Sequence, residues 1–276
     1  MSAVRIALYQ AQSGIDPYGN AAKLVTAVHE AAVGGASMLF TPEMSGMLDR
    51  DRDRAAGKAM QEADDEVLAA VRAAAREAGI WVHLGSLALK GEGDKLVNRG
   101  FVIDSSGDIR ARYDKIHLFD VDLPTGESWR ESAMYDSGSL AEVVQGTPVG
   151  KLGLTICYDL RFPALFERLS EAGADVIAVP AAFTVPTGKA HWRVLMRARA
   201  IEAELFVVAA AQAGRHEDGR DTYGHSLVVD PWGEVLLEMG GEPGLEFASI
   251  DLARIADVRS RIPVHQHRRP IPPVAN

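Results

Sequence analysis

The chain has 276 residues, 47% hydrophobic and 24% charged, the balance of a globular protein with a sizeable core. No apolar run approaches the ~20 residues of a membrane span, and a formal net charge of −9 with no Lys/Arg-rich stretch argues against nucleic acid or an anionic membrane as partner. The single cysteine, Cys157, excludes an internal disulfide, and the N-terminus enters a strand pattern directly, leaving no room for a secretory signal, so a cytoplasmic setting is expected.

Residues 4–11 read as a strand. Asn20 is expected to cap a helix running to about Val33, which Gly34 and Gly35 stop. Residues 37–40 form a second buried strand ending at Thr41-Pro42-Glu43. A long helix is expected over about 54–78, ended by Gly79, with a strand over 80–89. The middle of the chain reads as antiparallel: 97–103 and 109–113 around a turn at 105–108, then 141–144 and 151–157 separated by Gly146 and Gly150. A helix ending before Gly173, a strand at 175–179, a helix at 189–204 and a strand at 205–211 follow. The final hairpin is 226–229 and 234–238 around Asp230-Pro-Trp-Gly233. The tail, about 262–276, is rich in Pro, Arg and His and is expected to pack on a surface or on a partner subunit. No linker, low-complexity tract or repeat interrupts the pattern, so residues 1–276 are expected to form one α/β domain with a mixed sheet or two sheets.

Three polar residues stand just past apparent strand ends: Glu43, Lys115 and Cys157. Carboxyl ends of strands in α/β sheets converge on one edge, where ligands bind. Their chemistry is complementary, because a thiol needs a base and a developing oxyanion needs a cation. Backbone N–H groups at the strand-to-helix junction of Cys157 are suited to an oxyanion or a thiolate, and the Tyr158 N–H is the nearest candidate. Arg161, four residues after the thiol, is a candidate for a substrate carboxylate or for a structural ion pair. Phe183 and Thr187 follow the strand at 175–179 and are expected to wall the same pocket. His117 offers a competing Cys–His reading. A lone cysteine and scattered histidines make no metal-ligand set, and no phosphate-cradling glycine motif is present, so neither metal nor cofactor is expected.

In order, Thr41-Pro-Glu43, Asp114-Lys-Ile-His-Leu-Phe-Asp120 and Ile156-Cys-Tyr-Asp-Leu-Arg-Phe-Pro163 resemble the three signatures of the nitrilase superfamily of carbon–nitrogen hydrolases. The resemblance implies a four-layer α-β-β-α sandwich, a Glu–Lys–Cys triad, and subunits pairing as homodimers or larger assemblies. It also implies an assisting glutamate, for which Glu131 matches better than Glu127. Phe183 to Trp192, Arg197 to Glu202, Ala209 to His216, Tyr223 to Gly233 and Gln266 to Pro270 look most like deaminated glutathione amidases and their omega-amidase relatives. The implied activity is hydrolysis of a small linear ω-amide to a carboxylate and ammonia, in a metabolite-repair role. The alternatives are an omega-amidase on α-ketoglutaramate, another short-chain amidase, or a non-catalytic scaffold retaining the fold.

Overall fold

The computed structural model describes residues 3–122, 126 and 128–274. In β1 (Val4–Gln10) the side chains alternate between two cores. Ile6 and Leu8 join Leu152, Leu154 and Val176 from a second sheet. Ala7 packs instead with Leu24, Val28 and Val71 from helices. A strand buried on both faces reads as a nearly continuous apolar run, and this one does.

Helix α1 (Pro17–Val33) is capped by Asp16, whose carboxylate accepts from the Tyr18 and Gly19 N–H groups, with proline in the first turn. The expected cap, Asn20, lies inside the helix; its buried amide exchanges hydrogen bonds with Gly14 and donates to the Gly46 carbonyl. After β2 (Met38–Phe40) the expected long helix is two: α2 (Arg52–Lys58) and α3 (Glu66–Ala78). Asp51 and Asp65 cap them separately, and the backbone turns extended at Ala59. Strands β3 (Trp81–Lys90), β4 (Leu96–Ile103) and β5 (Ile109–Asp114) form an antiparallel meander. A small hairpin of β6 (Asp120–Asp122) and β7 (Ser128–Arg130) follows, and β8 (Tyr135–Asp136) pairs beside β4.

The second half runs β9 (Val143–Thr147), β10 (Gly150–Leu154), α4 (Pro163–Glu171), β11 (Val176–Ala178), α5 (Val185–Ala203) and β12 (Phe206–Ala209). Then come the hairpins β13 (Ala213–Arg215) with β14 (Asp221–Tyr223) and β15 (Leu227–Val229) with β16 (Val235–Glu238). The chain does not end its sheets there. β17 (Gly244–Ile250) returns to pair antiparallel with β1, and α6 (Ala253–Arg261) and α7 (Val264–His267) close the fold. Helix α5 also starts four residues before the expected Lys189, with Pro186 in its first turn. The tail lies on the chain's own α4, where His265 meets the Ser170 hydroxyl at 3.0 Å and Arg268 pairs with Glu171 at 2.9 Å.

The two large sheets have orders β17-β1-β2-β3-β4-β5 and β16-β15-β12-β11-β10-β9. Helices α1 and α3 cover the first, α4 and α5 the second, which is the expected α-β-β-α sandwich. Both sheets carry parallel strands at the centre, β1-β2-β3 and β10-β11-β12, so both present strand carboxyl ends. The sheets close tightly near that edge: a Cβ on Gly85 of β3 would lie 2.6 Å from Pro180, which follows β11. No described helix is long and apolar enough to cross a membrane.

Candidate active site

Glu43, Lys115 and Cys157 follow β2, β5 and β10, and the facing sheets bring them together. Lys115 is 2% exposed, and its Nζ donates to Glu43 Oε1 at 2.8 Å and to Glu131 Oε2 at 2.8 Å. Glu43 Oε1 also accepts from Asn98 Nδ2 at 3.0 Å, and its Oε2 accepts from the Ala182 N–H at 3.0 Å. Gln212 Nε2 donates to the Glu43 carbonyl at 2.9 Å, fixing the backbone behind the carboxylate. Cys157 begins a 3₁₀ turn with φ of +50°, a conformation that disfavours any residue but glycine and costs on the order of 1–3 kcal/mol. Its N–H donates to the Pro180 carbonyl at 2.9 Å. The buried Asp159 holds the turn by accepting from the Ile156 N–H, the His117 N–H and the Tyr113 hydroxyl.

Electrostatics define the resting state. Burial opposes the charge on Lys115, but Glu131 and Glu43 outweigh it and hold the ammonium well above the usual lysine value. Burial, reinforced by Glu43, pushes the Cys157 thiol well above its ordinary value, against weaker opposing pulls from Lys115 and the Ala182 N–H. The thiol is therefore protonated at rest. The N–H groups at its junction do not hold a standing thiolate, so a nucleophilic role for this sulfur would need a neighbouring base to take the proton.

Eight of the residues singled out by sequence line one cavity of about 590 Å³: Glu43, Lys115, Glu131, Cys157, Tyr158, Arg161, Phe183 and Thr187. Glu131 sits against Lys115 and also accepts from the Phe119 N–H at 2.6 Å. The alternative, Glu127, lies outside the described residues. Arg161 forms no ion pair with a described acid; it reaches His191 Nδ1 at 3.3 Å and lies over the rings of Tyr158 and Phe183. Phe183 is buried against Trp192, and the Thr187 hydroxyl meets that of Thr184 at 2.8 Å. His117 is tied to Asp159 at 2.7 Å and stacked on Phe162 at 3.6 Å, and it is not part of the cavity wall, so the Cys–His pairing does not form.

Sequence reasoning passed over Asn98, which is fully buried and donates to both Glu43 and Glu131. Its signal was a polar residue, next to Arg99, in the otherwise apolar strand Leu96–Ile103. Trp129, Tyr135 and Arg220 also line the cavity and carried no motif.

The carbon–nitrogen hydrolase family model matches residues 5–260. The chain is 43% identical over 247 residues to the deaminated glutathione amidase of Mus musculus, covering 88% of this chain and 76% of that protein. It is 39% identical over 272 residues to the deaminated glutathione amidase of Yersinia enterocolitica, covering 98% and 94%. The crystal structure of the Caenorhabditis elegans NitFhit protein superimposes with a TM-score of 0.90 at 38% identity, over 98% of this chain and 66% of that one.

Proposed function

The chain belongs to the carbon–nitrogen hydrolase family and is an amidase, and from that premise we propose that it hydrolyses deaminated glutathione through Cys157. The observation that carries the mechanism is the buried cluster in which Lys115 bridges Glu43 and Glu131 beside the buried thiol of Cys157, whose pKa burial and Glu43 raise. Glu43 takes the thiol proton as sulfur attacks the amide carbon, and the Sγ–C bond forms. The negative charge moves to the amide oxygen, where the Lys115 ammonium and the Tyr158 N–H receive it. The C–N bond then breaks as Glu43 returns the proton to the leaving nitrogen. Water, deprotonated by the same carboxylate, cleaves the thioester and restores the thiol. Glu131 and Asn98 hold Lys115 and Glu43 in register. Arg161, free of any described acid, takes the carboxylate of the keto-acid half, with Phe183 and Thr187 walling that side.

The substrate is supported by the names of the relatives at about 40% identity across most of the chain. In deaminated glutathione the ω-acyl group is attached to the nitrogen of cysteinylglycine, so a dipeptide amine leaves; a primary amide such as α-ketoglutaramate would release ammonia. The protein acts in the cytoplasm as a homodimer in this reading. Support for pairing comes from exposed apolar side chains, Val194 and Ile201 on α5 and Trp232 and Leu236 in the last hairpin, whose Gly233 lies against Ile201, and light scattering after gel filtration tests it. The functional test is α-ketoglutarate release from deaminated glutathione and from α-ketoglutaramate. A higher kcat/KM on the first is expected. Turnover of α-ketoglutaramate alone would make the protein an omega-amidase, and no turnover of any amide would return it to a scaffold.

A further inference from the structure

One wall of the cavity is a row of three aromatic rings with a cation at each end. Arg161 lies 5.9 Å from the Tyr158 ring, Tyr158 meets Phe119 edge-on at 5.1 Å, Phe119 meets Trp129 at 6.3 Å, and Arg220 lies 5.0 Å over Trp129. These five residues come from three segments, 119–129, 158–161 and 220, yet all five line the same cavity.

The Arg220 end is built for a ligand. Its Nε donates to Asp218 Oδ2 at 2.7 Å, and the Asp218 side chain is fully buried, so the guanidinium plane is fixed. That single bond uses one edge of the group, and the two terminal amino groups have no hydrogen-bond acceptor among the described residues. Beneath it, Trp129 Nε1 is a buried N–H donor, also without an acceptor among the described residues. Leaving a buried donor unpaired is costly, so such a group marks a place where something else supplies an oxygen. Of the other arginines lining the cavity, Arg50 is exposed and held by no hydrogen bond to a described residue, so unlike Arg220 its guanidinium is not fixed in place. Arg130 is exposed, with one terminal nitrogen donating to both Asp122 oxygens and the other to the Val121 and Trp129 carbonyls, while Arg52 is exposed and reaches only the Arg130 carbonyl. Lys115 is committed to two carboxylates.

We propose that Arg220 and Trp129 form the subsite for the amine half of the substrate, with Arg220 binding a terminal carboxylate and the Trp129 indole N–H an amide carbonyl. This rests on the assignment of Cys157 as nucleophile and of Arg161 to the acyl half. It adds a specificity rule: the site selects ω-amides whose leaving amine carries a carboxylate of its own. Two cations separated by three rings suit a dianion with its charges at opposite ends. A planar guanidinium gripped only through Nε still offers a two-pronged face to a carboxylate. The aromatic wall between covers the uncharged middle of the ligand.

Binding to the Cys157→Ala protein separates this from the catalytic reading. The dissociation constants of deaminated glutathione and of its C-terminal carboxamide, which differ only in the terminal charge, are measured by calorimetry. The acid is expected to bind about tenfold more tightly than the carboxamide. Adding Arg220→Gln should erase that preference, and adding Trp129→Phe should weaken both ligands alike. A structural role for the Arg220–Trp129 stack would weaken acid and carboxamide equally and keep their ratio. Equal affinity for the two with Arg220 intact, a preference that survives Arg220→Gln, or binding of neither ligand overturns the proposal. Wild-type turnover of deaminated glutathione is a separate reading: its absence overturns the proposed function while the binding ratio still decides the subsite.

Discussion

Exchanging Glu43 for glutamine should abolish amide turnover and yet make Cys157 more reactive toward iodoacetamide. The carboxylate accepts from Lys115 and Asn98 on one oxygen and from the Ala182 N–H on the other. A glutamine amide satisfies only one of these sides. Its oxygen will face Lys115 and Asn98, which together supply two donors, and its NH₂ will then oppose the Ala182 N–H. One buried donor left unpaired costs on the order of 1–3 kcal/mol, a loss the fold should survive. Catalytically the base is gone, and turnover should fall by roughly 10²- to 10⁴-fold. The thiol, however, loses the negative neighbour that, after burial, contributes most to holding its proton. Each unit by which its pKa falls raises the thiolate fraction about tenfold at neutral pH, while the lower basicity cuts its nucleophilicity about threefold, for a net gain of roughly threefold per unit. Alkylation rates at pH 7 and 8, followed by mass spectrometry beside kcat on α-ketoglutaramate, make the comparison. Alkylation that falls in parallel with turnover would refute the reasoning, since it would mean that Glu43 maintains a reactive thiolate in the resting enzyme.

Cys157→Ser should leave a folded protein whose turnover is reduced by several orders of magnitude; retention of more than about a tenth of the wild-type rate would exclude nucleophilic catalysis. Asn98→Ala removes the donor shared by Glu43 and Glu131 and should lower kcat about tenfold or more, with His117→Ala close to wild type in the same assay. Arg161→Met should raise KM for an anionic keto-amide by about thirtyfold while a neutral amide of similar length changes far less; equal losses would make Arg161 structural. His83 is buried and held neutral, its pKa lowered to about 3 by burial. The unfolded chain therefore takes up a proton near pH 6.5 that the folded one refuses, so stability is full above that pH and falls as acid is added, by up to about 1.4 kcal/mol per unit from this residue. Urea midpoints between pH 6.5 and 5 should fall less steeply in His83→Leu, and an unchanged slope would remove His83 from the account.

Glu43 and Cys157 were legible because each follows an apolar strand with a parallel neighbour, and such carboxyl ends converge whatever their separation in sequence; Lys115 follows the antiparallel, arginine-bearing β5 and stood out only by its place just past a strand end. Glu131 was legible only through resemblance, since its loop has no hydrophobic periodicity and its place is set by Lys115. The α1 start was misread although the local signal was present: Asp16 followed by Pro17 is a cap with a proline in the first turn, which outranks an asparagine three residues into the helix. The break between α2 and α3 was different in kind. Residues 54–78 are rich in Ala, Arg and Glu and favour one continuous helix, but Arg52 and Ala55 line the cavity while Val67, Val71 and Ala75 pack on the outer face of the first sheet. One straight helix cannot do both, so tertiary packing overrode propensity.

The same distinction separates the residues that perform chemistry from those that tune it. Glutamate, lysine and cysteine announce base, cation and nucleophile by type alone. Whether the thiol rests protonated does not follow from type; it follows from burial and from a carboxylate 114 positions earlier in the chain, brought beside it by the second sheet folding over the first. Arg220 and Trp129 belong to the same class. An arginine in a charged loop and a tryptophan in a short hairpin have bland readings as solvated charge and surface anchor. Only the buried Asp218 that fixes the guanidinium, and a buried indole N–H without an acceptor among the described residues, give the pair a chemical direction. In the proposed mechanism, catalytic identity is thus carried by short motifs at strand ends, and selectivity by long-range contacts that no local pattern encodes.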